Sequence, residues 1–188
     1  MFKAAFLDRD GVINRKAPEG AYITRWEDMV FLSGVVEGIQ ALRKAGFRII
    51  VISNQRCVAK GLLTASDLEA LNRRMCETLA AQGAVIDAAY FCPHDYDPPC
   101  KCRKPAPGLL LDAADDYQID LKESWMIGDS AIDMAAGRSA GCKTALVQGP
   151  EGSTDELVDL VTRSLLEAAQ QILKYEEGRR FCTCVASS

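Results

Sequence analysis

The sequence lacks several features that mark common classes of protein. It holds a single histidine among 188 residues, so a Ser–His–Asp or Cys–His mechanism would depend on His94 alone. It has no excess of basic residues, since 22 lysines and arginines stand against 26 aspartates and glutamates, for a net charge of −4. Proteins that bind nucleic acid through its phosphates normally carry a basic excess. The sequence holds no run of about 18 apolar residues, which is the length that a membrane-spanning helix needs. We therefore expect neither nucleic acid nor a membrane among its partners.

The sequence also leaves no room for a signal peptide, because Met1 is followed almost at once by the apolar segment Lys3–Leu7. This start predicts a cytoplasmic location, where the eight cysteines stay reduced. In a reducing compartment, clustered cysteines more often bind a metal or take part in redox chemistry than form disulfides.

Short apolar runs alternate with helical patterns along most of the chain. The apolar runs predict strands at 3–7, 47–52, 85–91, 125–127 and 143–147. Helical spacing predicts helices from 35 to about Gly46, from Ser66 to about Gly83, and at 108–117, 131–140 and 154–176. Ser66 and Glu69 form a capping box at the start of the second helix.

Strands that alternate with helices predict an α/β fold, with a doubly wound, mainly parallel sheet covered by helices on both faces. The length fits one domain, which we place at residues 1–177, followed by a flexible tail at 178–188. The connections after Asp10 and after Asn54 are too short to hold an inserted domain. We therefore expect no large cap over the sheet.

Polar residues follow three of the predicted strands at the point where each strand ends. Asp8 and Asp10 follow the first strand, Ser53 and Asn54 follow the second, and Asp129 follows the fourth. In a parallel sheet these ends share one edge, and ligands of such sheets bind beyond it. The sequence therefore predicts an active site at that edge.

The residue types at this edge favour phosphoryl transfer. The carboxylates of Asp8 and Asp10 can face one pocket from an extended backbone, and both stay ionised only beside a cation. With Asp129 as a third oxygen ligand they favour Mg²⁺, which prefers phosphate-bearing substrates. Lys104 adds a positive charge and Ser53 a neutral donor. We predict that Asp8 is the nucleophile, forming an aspartyl-phosphate, and that Asp10 is the general acid and base.

The segment 92–105 is too rich in proline for regular structure. Its two ends each offer a pair of potential metal ligands, two residues apart. These ligands are Cys92, His94, Cys100 and Cys102. Three cysteines and a histidine suit a closed, structural Zn²⁺ site, and the alternative is a set of unrelated buried thiols beside a surface histidine. Zinc would stiffen the loop and aim Arg103 and Lys104 at a phosphate.

Four short motifs follow one another along residues 2–150. They are Phe6-Leu7-Asp8-Arg9-Asp10-Gly11-Val12, Ser53-Asn54-Gln55, Arg103-Lys104-Pro105 and Gly128-Asp129-Ser130-Ala131-Ile132-Asp133. Each motif alone is weak evidence, but the four in this order at predicted strand ends resemble the haloacid-dehalogenase (HAD) superfamily. Together with the cysteine loop, they resemble its zinc-loop group, which contains heptose-bisphosphate and histidinol-phosphate phosphatases.

The resemblance implies a HAD-like, Rossmannoid fold with a catalytic Mg²⁺ and a structural Zn²⁺. The Mg²⁺ ligands would be Asp8, the backbone carbonyl of Asp10, and Asp129. Ser53 and Lys104 would bind the transferring phosphoryl group, and Asp133 would support the metal site. The substrate contacts implied in the same way are Asn54, Gln55, Arg56, Arg103 and Lys104.

The function that the resemblance implies is removal of the 7-phosphate from D-glycero-D-manno-heptose 1,7-bisphosphate, a precursor of nucleotide-heptose and lipopolysaccharide, by a monomeric enzyme. Histidinol phosphate or another small sugar phosphate is the alternative substrate. A catalytically silent, zinc-stabilised binding module is the alternative of another class. Arg56 and Lys60 depart from the heptose enzymes, so each could contact a second phosphate or simply be solvated.

Overall fold

The computed structural model describes residues 1–147 and 158–185. Over these residues the chain forms six strands and five α-helices, with short 3-10 turns at Trp26–Asp28 and Leu121–Glu123. The strands are β1 (Lys3–Leu7), β2 (Phe47–Asn54), β3 (Ala88–Cys92), β4 (Trp125–Gly128), β5 (Lys143–Val147) and β6 (Leu160–Thr162). The helices are α1 (Val35–Lys44), α2 (Ala65–Ala80), α3 (Gly108–Tyr117), α4 (Ala131–Ala140) and α5 (Leu165–Val185).

The six strands form one parallel sheet in the order β3-β2-β1-β4-β5-β6. β1 lies inside the sheet, where Leu7 pairs with Val51 of β2 on one side and with Ile127 of β4 on the other. The chain steps outward from β1 to β3 and then builds the other half of the sheet from β4. Ligands of doubly wound sheets bind at the carboxyl ends of the strands beside this reversal.

Alternate residues of each strand face opposite sides of the sheet, and each side has its own hydrophobic core. On one side Leu7 and Ile127 pack with α1, α2 and α5. On the other side Phe6 and Met126 pack with α3 and α4. All four strand residues are fully buried, as expected for a parallel sheet covered on both faces. The predicted fold class is confirmed, and the described residues hold no inserted cap domain.

The C-terminal part of the chain differs from the prediction of a helix at 154–176. Leu160–Thr162 form β6, which pairs with β5 at the edge of the sheet, and α5 begins only at Leu165. The apolar residues of β6 also fit the helical stripe, because a three-residue strand is too short to show a period of its own. Residues 154–157 lie outside the described part of the chain.

Helix α5 ends later than the sequence predicts. It continues to Val185, so the backbone is helical over 178–185, within the segment predicted as a tail. The side chains of Cys182 and Cys184 and residues 186–188 lie outside the described part. None of the described helices is both long and apolar enough to span a membrane.

The capping box of α2 lies two residues earlier than predicted. Thr64 is the N-cap, its Oγ1 accepts from the backbone N–H of Asp67 at 3.1 Å, and the Asp67 carboxylate accepts from the Thr64 N–H at 3.3 Å. The prediction of Ser66 and Glu69 was wrong because two overlapping boxes share this segment, and the shorter aspartate closes the true one.

Candidate active site

The carboxyl ends of β1, β2 and β4 bring the predicted catalytic residues to one edge of the sheet. Asp8 follows β1 directly, and its backbone N–H donates to the carbonyl oxygen of Ile127 in β4 at 2.9 Å. Ser53 and Asn54 are the last residues of β2, which is two residues longer than predicted, and Asp129 follows β4. Because β1 lies between β2 and β4, these residues flank Asp8 on both sides.

Lys104 reaches the centre of the site from the loop that precedes α3. Its side chain is 1% exposed. Its Nζ lies 2.7 Å from Asp8 Oδ1, 2.6 Å from Asp133 Oδ1 and 2.7 Å from the carbonyl oxygen of Ile52. Burial alone would lower the pKa of Lys104, but the two carboxylates raise it above its ordinary value. The ammonium therefore stays charged beside Asp8.

The carboxyl group of Asp8 is buried beside other acids. Burial raises the pKa of Asp8 to about 7, with Lys104 opposing the shift and Asp133 and Asp10 adding to it. A carboxyl with this pKa is only partly ionised at neutral pH, and a further cation beside it would complete the ionisation. The site therefore favours an additional positive charge next to Asp8.

Asp129 supplies another carboxylate that faces such a cation. Its Oδ2 pairs with Lys16 Nζ at 2.6 Å, whereas its Oδ1 is buried without a hydrogen-bond partner. Carboxylate oxygens of Asp8, Asp129 and Asp133 lie within 4.8 Å of one another. Hard oxygen ligands at this spacing fit Mg²⁺, and a buried polar atom without a partner is where an ion is expected.

Asp10 is held in place by three donors. The guanidinium of Arg9 approaches Asp10 Oδ2 to 2.9 Å, Asn14 Nδ2 donates to Oδ1 at 2.8 Å, and Gln55 Nε2 donates to Oδ2 at 2.9 Å. Burial raises the pKa of Asp10, but the donors more than offset burial and hold it below its ordinary value. Asp10 is thus an oriented carboxylate in its charged form.

The polar residues at and after the end of β2 mainly contact other protein groups. Asn54 accepts from the backbone N–H of Lys104 at 3.1 Å and donates to the Lys104 carbonyl at 3.0 Å. Gln55 is 2% exposed and donates to Ser53 Oγ at 2.6 Å. Asn54 therefore fixes the backbone that carries Lys104, and the substrate contacts predicted for Asn54 and Gln55 stay predictions.

Arg56 and Arg103, two further predicted substrate contacts, both lie against the ring of Tyr96. Their guanidinium carbons are 4.2 and 4.4 Å from the ring centroid. Arg56 Nε also pairs with Asp95 Oδ1 at 2.6 Å, and this hydrogen bond holds the pKa of Asp95 below its usual value. Because Asp95 and Tyr96 belong to the cysteine loop, that loop positions both guanidinium groups.

A cavity of 270 Å³ opens beside Asp10. It is lined by residues 16–23 and by Asn54 and Gln55. Lys60 Nζ lies 5.3 Å from the ring centroid of Tyr22, so the loop after β2 meets the loop after β1 next to this cavity. Two loops, rather than a cap domain, therefore shape the space in front of Asp10.

The four predicted ligands of the cysteine loop come together. The sulfur atoms of Cys92, Cys100 and Cys102 are 3.2–3.5 Å apart, and His94 Nδ1 lies 3.2 Å from Cys102 Sγ. Ligands placed about 2.3 Å from a tetrahedral zinc are roughly 3.8 Å from one another, so these atoms already lie near the corners of such a tetrahedron. Burial raises the pKa of the Cys100 thiol, but hydrogen bonds with Cys102 and Cys92 bring it down to about 7. Burial raises the pKa of Cys92 and also that of Cys102, the latter to about 12, so Cys100 is the member of the cluster that most readily supplies the thiolate that binds metal.

Two basic residues of the site were missed by sequence reasoning. Arg9 is 1% exposed, and it joins Asp10 to Asn72 of α2 through a hydrogen bond of 3.1 Å. Its position between two aspartates could have suggested an ion pair. Lys16, which pairs with Asp129, lies in an irregular loop that no local pattern connects with Asp129.

The fold and the site together define a hydrolase of the HAD-like class. The features that define it are the reversal of the parallel sheet beside β1, the two aspartates after β1, the buried lysine and the acidic turn after β4. In agreement, residues 101–168 match the family model described as HAD-hyrolase-like.

Similar proteins narrow this class. The chain is 41% identical over 145 residues to the D-glycero-beta-D-manno-heptose-1,7-bisphosphate 7-phosphatase of Rhodopseudomonas palustris, covering 73% of this chain and 79% of that protein. It is 36% identical over 185 residues to the enzyme of the same name from Escherichia coli K12, covering 93% and 95%. The structure of the D,D-heptose 1,7-bisphosphate phosphatase from B. bronchiseptica, complexed with magnesium and phosphate, matches with a TM-score of 0.83 and 34% identity, covering 92% of this chain and 99% of that chain. The protein therefore belongs to the family of heptose-bisphosphate phosphatases.

Proposed function

We propose that this protein is a Mg²⁺-dependent phosphatase that removes the 7-phosphate of D-glycero-β-D-manno-heptose 1,7-bisphosphate through an aspartyl-phosphate. The observation that carries the proposal is the pairing of Lys104 with Asp8 and Asp133, next to the unpartnered carboxylate oxygen of Asp129. Identity of 36% with the Escherichia coli enzyme across nearly the whole chain supports the same reaction.

Asp8 is the nucleophile of the first step. One of its carboxylate oxygens bonds to phosphorus while the bond from phosphorus to the sugar oxygen breaks. A carboxylate about 4 Å from a phosphate dianion meets repulsion of about 8 kcal/mol at an effective dielectric constant of about 20. Lys104, at 2.7 Å from Asp8, offsets part of this repulsion, and Ser53 donates a hydrogen bond to the phosphoryl group.

Asp10 moves the protons of both steps. A phosphate dianion bound nearby favours its protonated form, which gives a proton to the leaving sugar oxygen. The resulting carboxylate then takes a proton from water, whose oxygen bonds to phosphorus as the bond to Asp8 breaks. Inorganic phosphate leaves, and Asp10 is again protonated. Arg9, Asn14 and Gln55 keep its carboxyl group in position.

The acids of the site fit one Mg²⁺. Asp8 and Asp129 would bind it through carboxylate oxygens and Asp10 through its backbone carbonyl, and bound Mg²⁺ would neutralise the phosphate and stabilise charge on its oxygens. Asp133 supports the site from α4, since its carboxylate contacts Lys104 and accepts from the hydroxyl of Ser130. The magnesium in the B. bronchiseptica structure supports this assignment.

The cysteine loop is proposed to hold a structural Zn²⁺ through Cys92, His94, Cys100 and Cys102. Since Cys102 and Lys104 are two residues apart, a rigid loop end would limit the positions that Lys104 can take. Tyr96 of the same loop contacts the guanidinium groups of Arg56 and Arg103. These two guanidinium groups are our candidates for contact with the second phosphate of the substrate, and Asn54 and Gln55 are candidates for contact closer to the reacting phosphate.

A panel of substrates tests the proposed function. Phosphate release with Mg²⁺ is measured for heptose 1,7-bisphosphate, fructose 1,6-bisphosphate and histidinol phosphate. We expect a higher kcat/KM for the two bisphosphates than for histidinol phosphate, because only they offer a second anion to the two arginines, and the highest value for the heptose, which the names of the similar proteins support. A higher kcat/KM for histidinol phosphate than for the heptose would show that histidinol phosphate is the substrate and would contradict the proposal. No release from any member would favour a silent binding module.

We further infer that the enzyme acts as a monomer in the cytoplasm on a small phosphorylated sugar. The net charge of −4 argues against nucleic acid as a partner. Light scattering coupled to size exclusion would test the monomer, with a dimer mass as the contrary result.

A further inference from the structure

Lys16 is placed between the acids of the metal site and the cavity in front of Asp10. Its Nζ lies 2.6 Å from Asp129 Oδ2, and its side chain is 53% exposed. Lys16 also lines the cavity that contains Asp10. The backbone just before it is anchored, since Arg15 N–H donates to the Val30 carbonyl at 2.8 Å. Only the flexible stem of Lys16 therefore decides where its ammonium lies.

The two oxygens of Asp129 have different surroundings. Oδ2 faces the ammonium of Lys16, while Oδ1 is buried without a hydrogen-bond partner. Asp129 itself has little freedom, because its carboxylate lies directly against the backbone of Gly11. A cation bound to Asp8 and to Oδ1 of Asp129 would therefore lie beside the Lys16 ammonium on the same fixed carboxylate, and the two positive charges would repel each other.

We propose that Lys16 is a tethered cation that competes with Mg²⁺ for the negative charge of Asp129 and so weakens the binding of the metal. This inference rests on the proposed function, because that function includes the metal site. The ammonium lies at the end of a half-exposed side chain, where an ion pair holds it only weakly. Lys16 thus balances the charge of the acids without Mg²⁺ and gives way to it at small cost.

Titration calorimetry of MgCl₂ into the Mg²⁺-free protein, with its zinc retained and without substrate, tests the proposal. Lys16→Met should lower the Kd for Mg²⁺ by roughly two- to fivefold, because the competing cation is gone. Lys16→Gln serves as a second variant with a polar side chain and should shift the Kd in the same direction. Lys16→Arg keeps the charge and should stay within about twofold of the wild-type Kd.

Lys60→Met is the matched control. It removes the same charge from a neighbouring loop, where Lys60 lies over the ring of Tyr22, and it leaves the contact between Lys16 and Asp129 in place. It should change the Kd less than Lys16→Met. An equal shift of the Kd in both variants would show that the loss of any nearby positive charge strengthens Mg²⁺ binding, and this would overturn the proposal.

Thermal unfolding gives a second readout that does not depend on activity. Lys16→Met without Mg²⁺ but with its zinc should melt at a lower temperature than wild type in the same state, and Mg²⁺ should raise the Tm of the variant by more than that of the wild type. A Kd that is unchanged or higher in Lys16→Met, in a wild type that binds Mg²⁺ and releases phosphate, would overturn the role of Lys16 alone. A wild-type protein that binds no Mg²⁺ would overturn the metal site and this inference together.

Discussion

Gly11 is the residue at which the active site leaves no room for a side chain. Its φ is +102°, in the region that favours glycine. A Cβ at this position would lie 1.8 Å from Asp129 Oδ2 and 3.1 Å from Lys16 Cε. The glycine of the first motif therefore allows the turn after β1 to approach the acidic turn after β4.

Gly11→Ala should weaken Mg²⁺ binding by at least about tenfold, because the new methyl group displaces Asp129 and strains the backbone. Gly20→Ala is the control, since Gly20 has a similar φ of +78° with nothing within 4 Å of its Cβ position. Calorimetric titration with MgCl₂ measures both variants. Equal affinities in the two variants would show that close approach to Asp129 does not matter.

The affinity for Mg²⁺ should depend on pH through Asp8. Burial raises the pKa of Asp8 to about 7 in the metal-free protein, and burial also raises the pKa of Asp129. As the pH falls through about 7, Asp8 takes up a proton that competes with the metal, so the Kd should rise by about tenfold from about pH 8 to about pH 6. Titration in buffers of different ionisation enthalpy should also detect proton release on binding. A Kd that stays constant over this range would contradict the raised pKa.

At the scale of residues, position along the chain was a good guide for short side chains. Asp8, Ser53 and Asp129 could be predicted because each lies at or just beyond the end of a strand, where the fold itself fixes its place. The contacts of Arg9 with Asn72 and of Lys16 with Asp129 could not, because these long side chains cross to partners that no local pattern identifies.

The cysteine loop is the element through which the proposed zinc would affect the position of Lys104. Cys100→Ser should remove one of four ligands and reduce the zinc content from about one per chain to well below it. Because Lys104 follows Cys102 so closely, we expect Tm and kcat to fall together, with kcat lower by roughly 10–100-fold. Cys76→Ser on α2 changes a thiol outside the cluster and should keep its zinc and activity. Full activity in zinc-free protein would contradict the role of the loop.

The start of α2 offers a direct test of the corrected helix cap. Thr64→Ala removes the hydroxyl that accepts from the backbone N–H of Asp67 and should lower the free energy of unfolding by about 1 kcal/mol. Ser66→Ala should change it by less than about 0.5 kcal/mol, because Ser66 lies inside the helix as an exposed residue. Urea unfolding measures both. A larger loss of unfolding free energy in Ser66→Ala than in Thr64→Ala would support Ser66 as the N-cap and contradict the cap at Thr64.

At the scale of elements, the strands and helices of the central part of the chain were more predictable than the C-terminal elements β6 and α5. The strands β1 and β5 and the helices α3 and α4 have the bounds that their apolar patterns indicate. β6 has three residues and owes its conformation to pairing with β5. Such tertiary pairing leaves no periodic signal in the sequence.

At the scale of the whole molecule, the order of strands in the sheet determines where the active site lies, and the loops around it determine which substrate can bind. The order of strands gathers Asp8, Lys104 and Asp129 at one edge, which the alternation of strands and helices predicts. The pairing of Arg56 with Asp95 across two loops depends on the folded shapes of both loops. Specificity for the substrate was therefore less predictable than the reaction.

The proposed function depends above all on transfer of the phosphoryl group to the carboxylate of Asp8. The most direct measurement is acid quenching of the enzyme during turnover of heptose 1,7-bisphosphate with Mg²⁺, followed by mass analysis of its peptides. We predict a phosphoryl adduct on the peptide that contains Asp8 and, in folded Asp8→Asn protein, neither adduct nor phosphate release. Turnover by Asp8→Asn at the wild-type rate, or a phosphoryl adduct on another residue, would contradict the account.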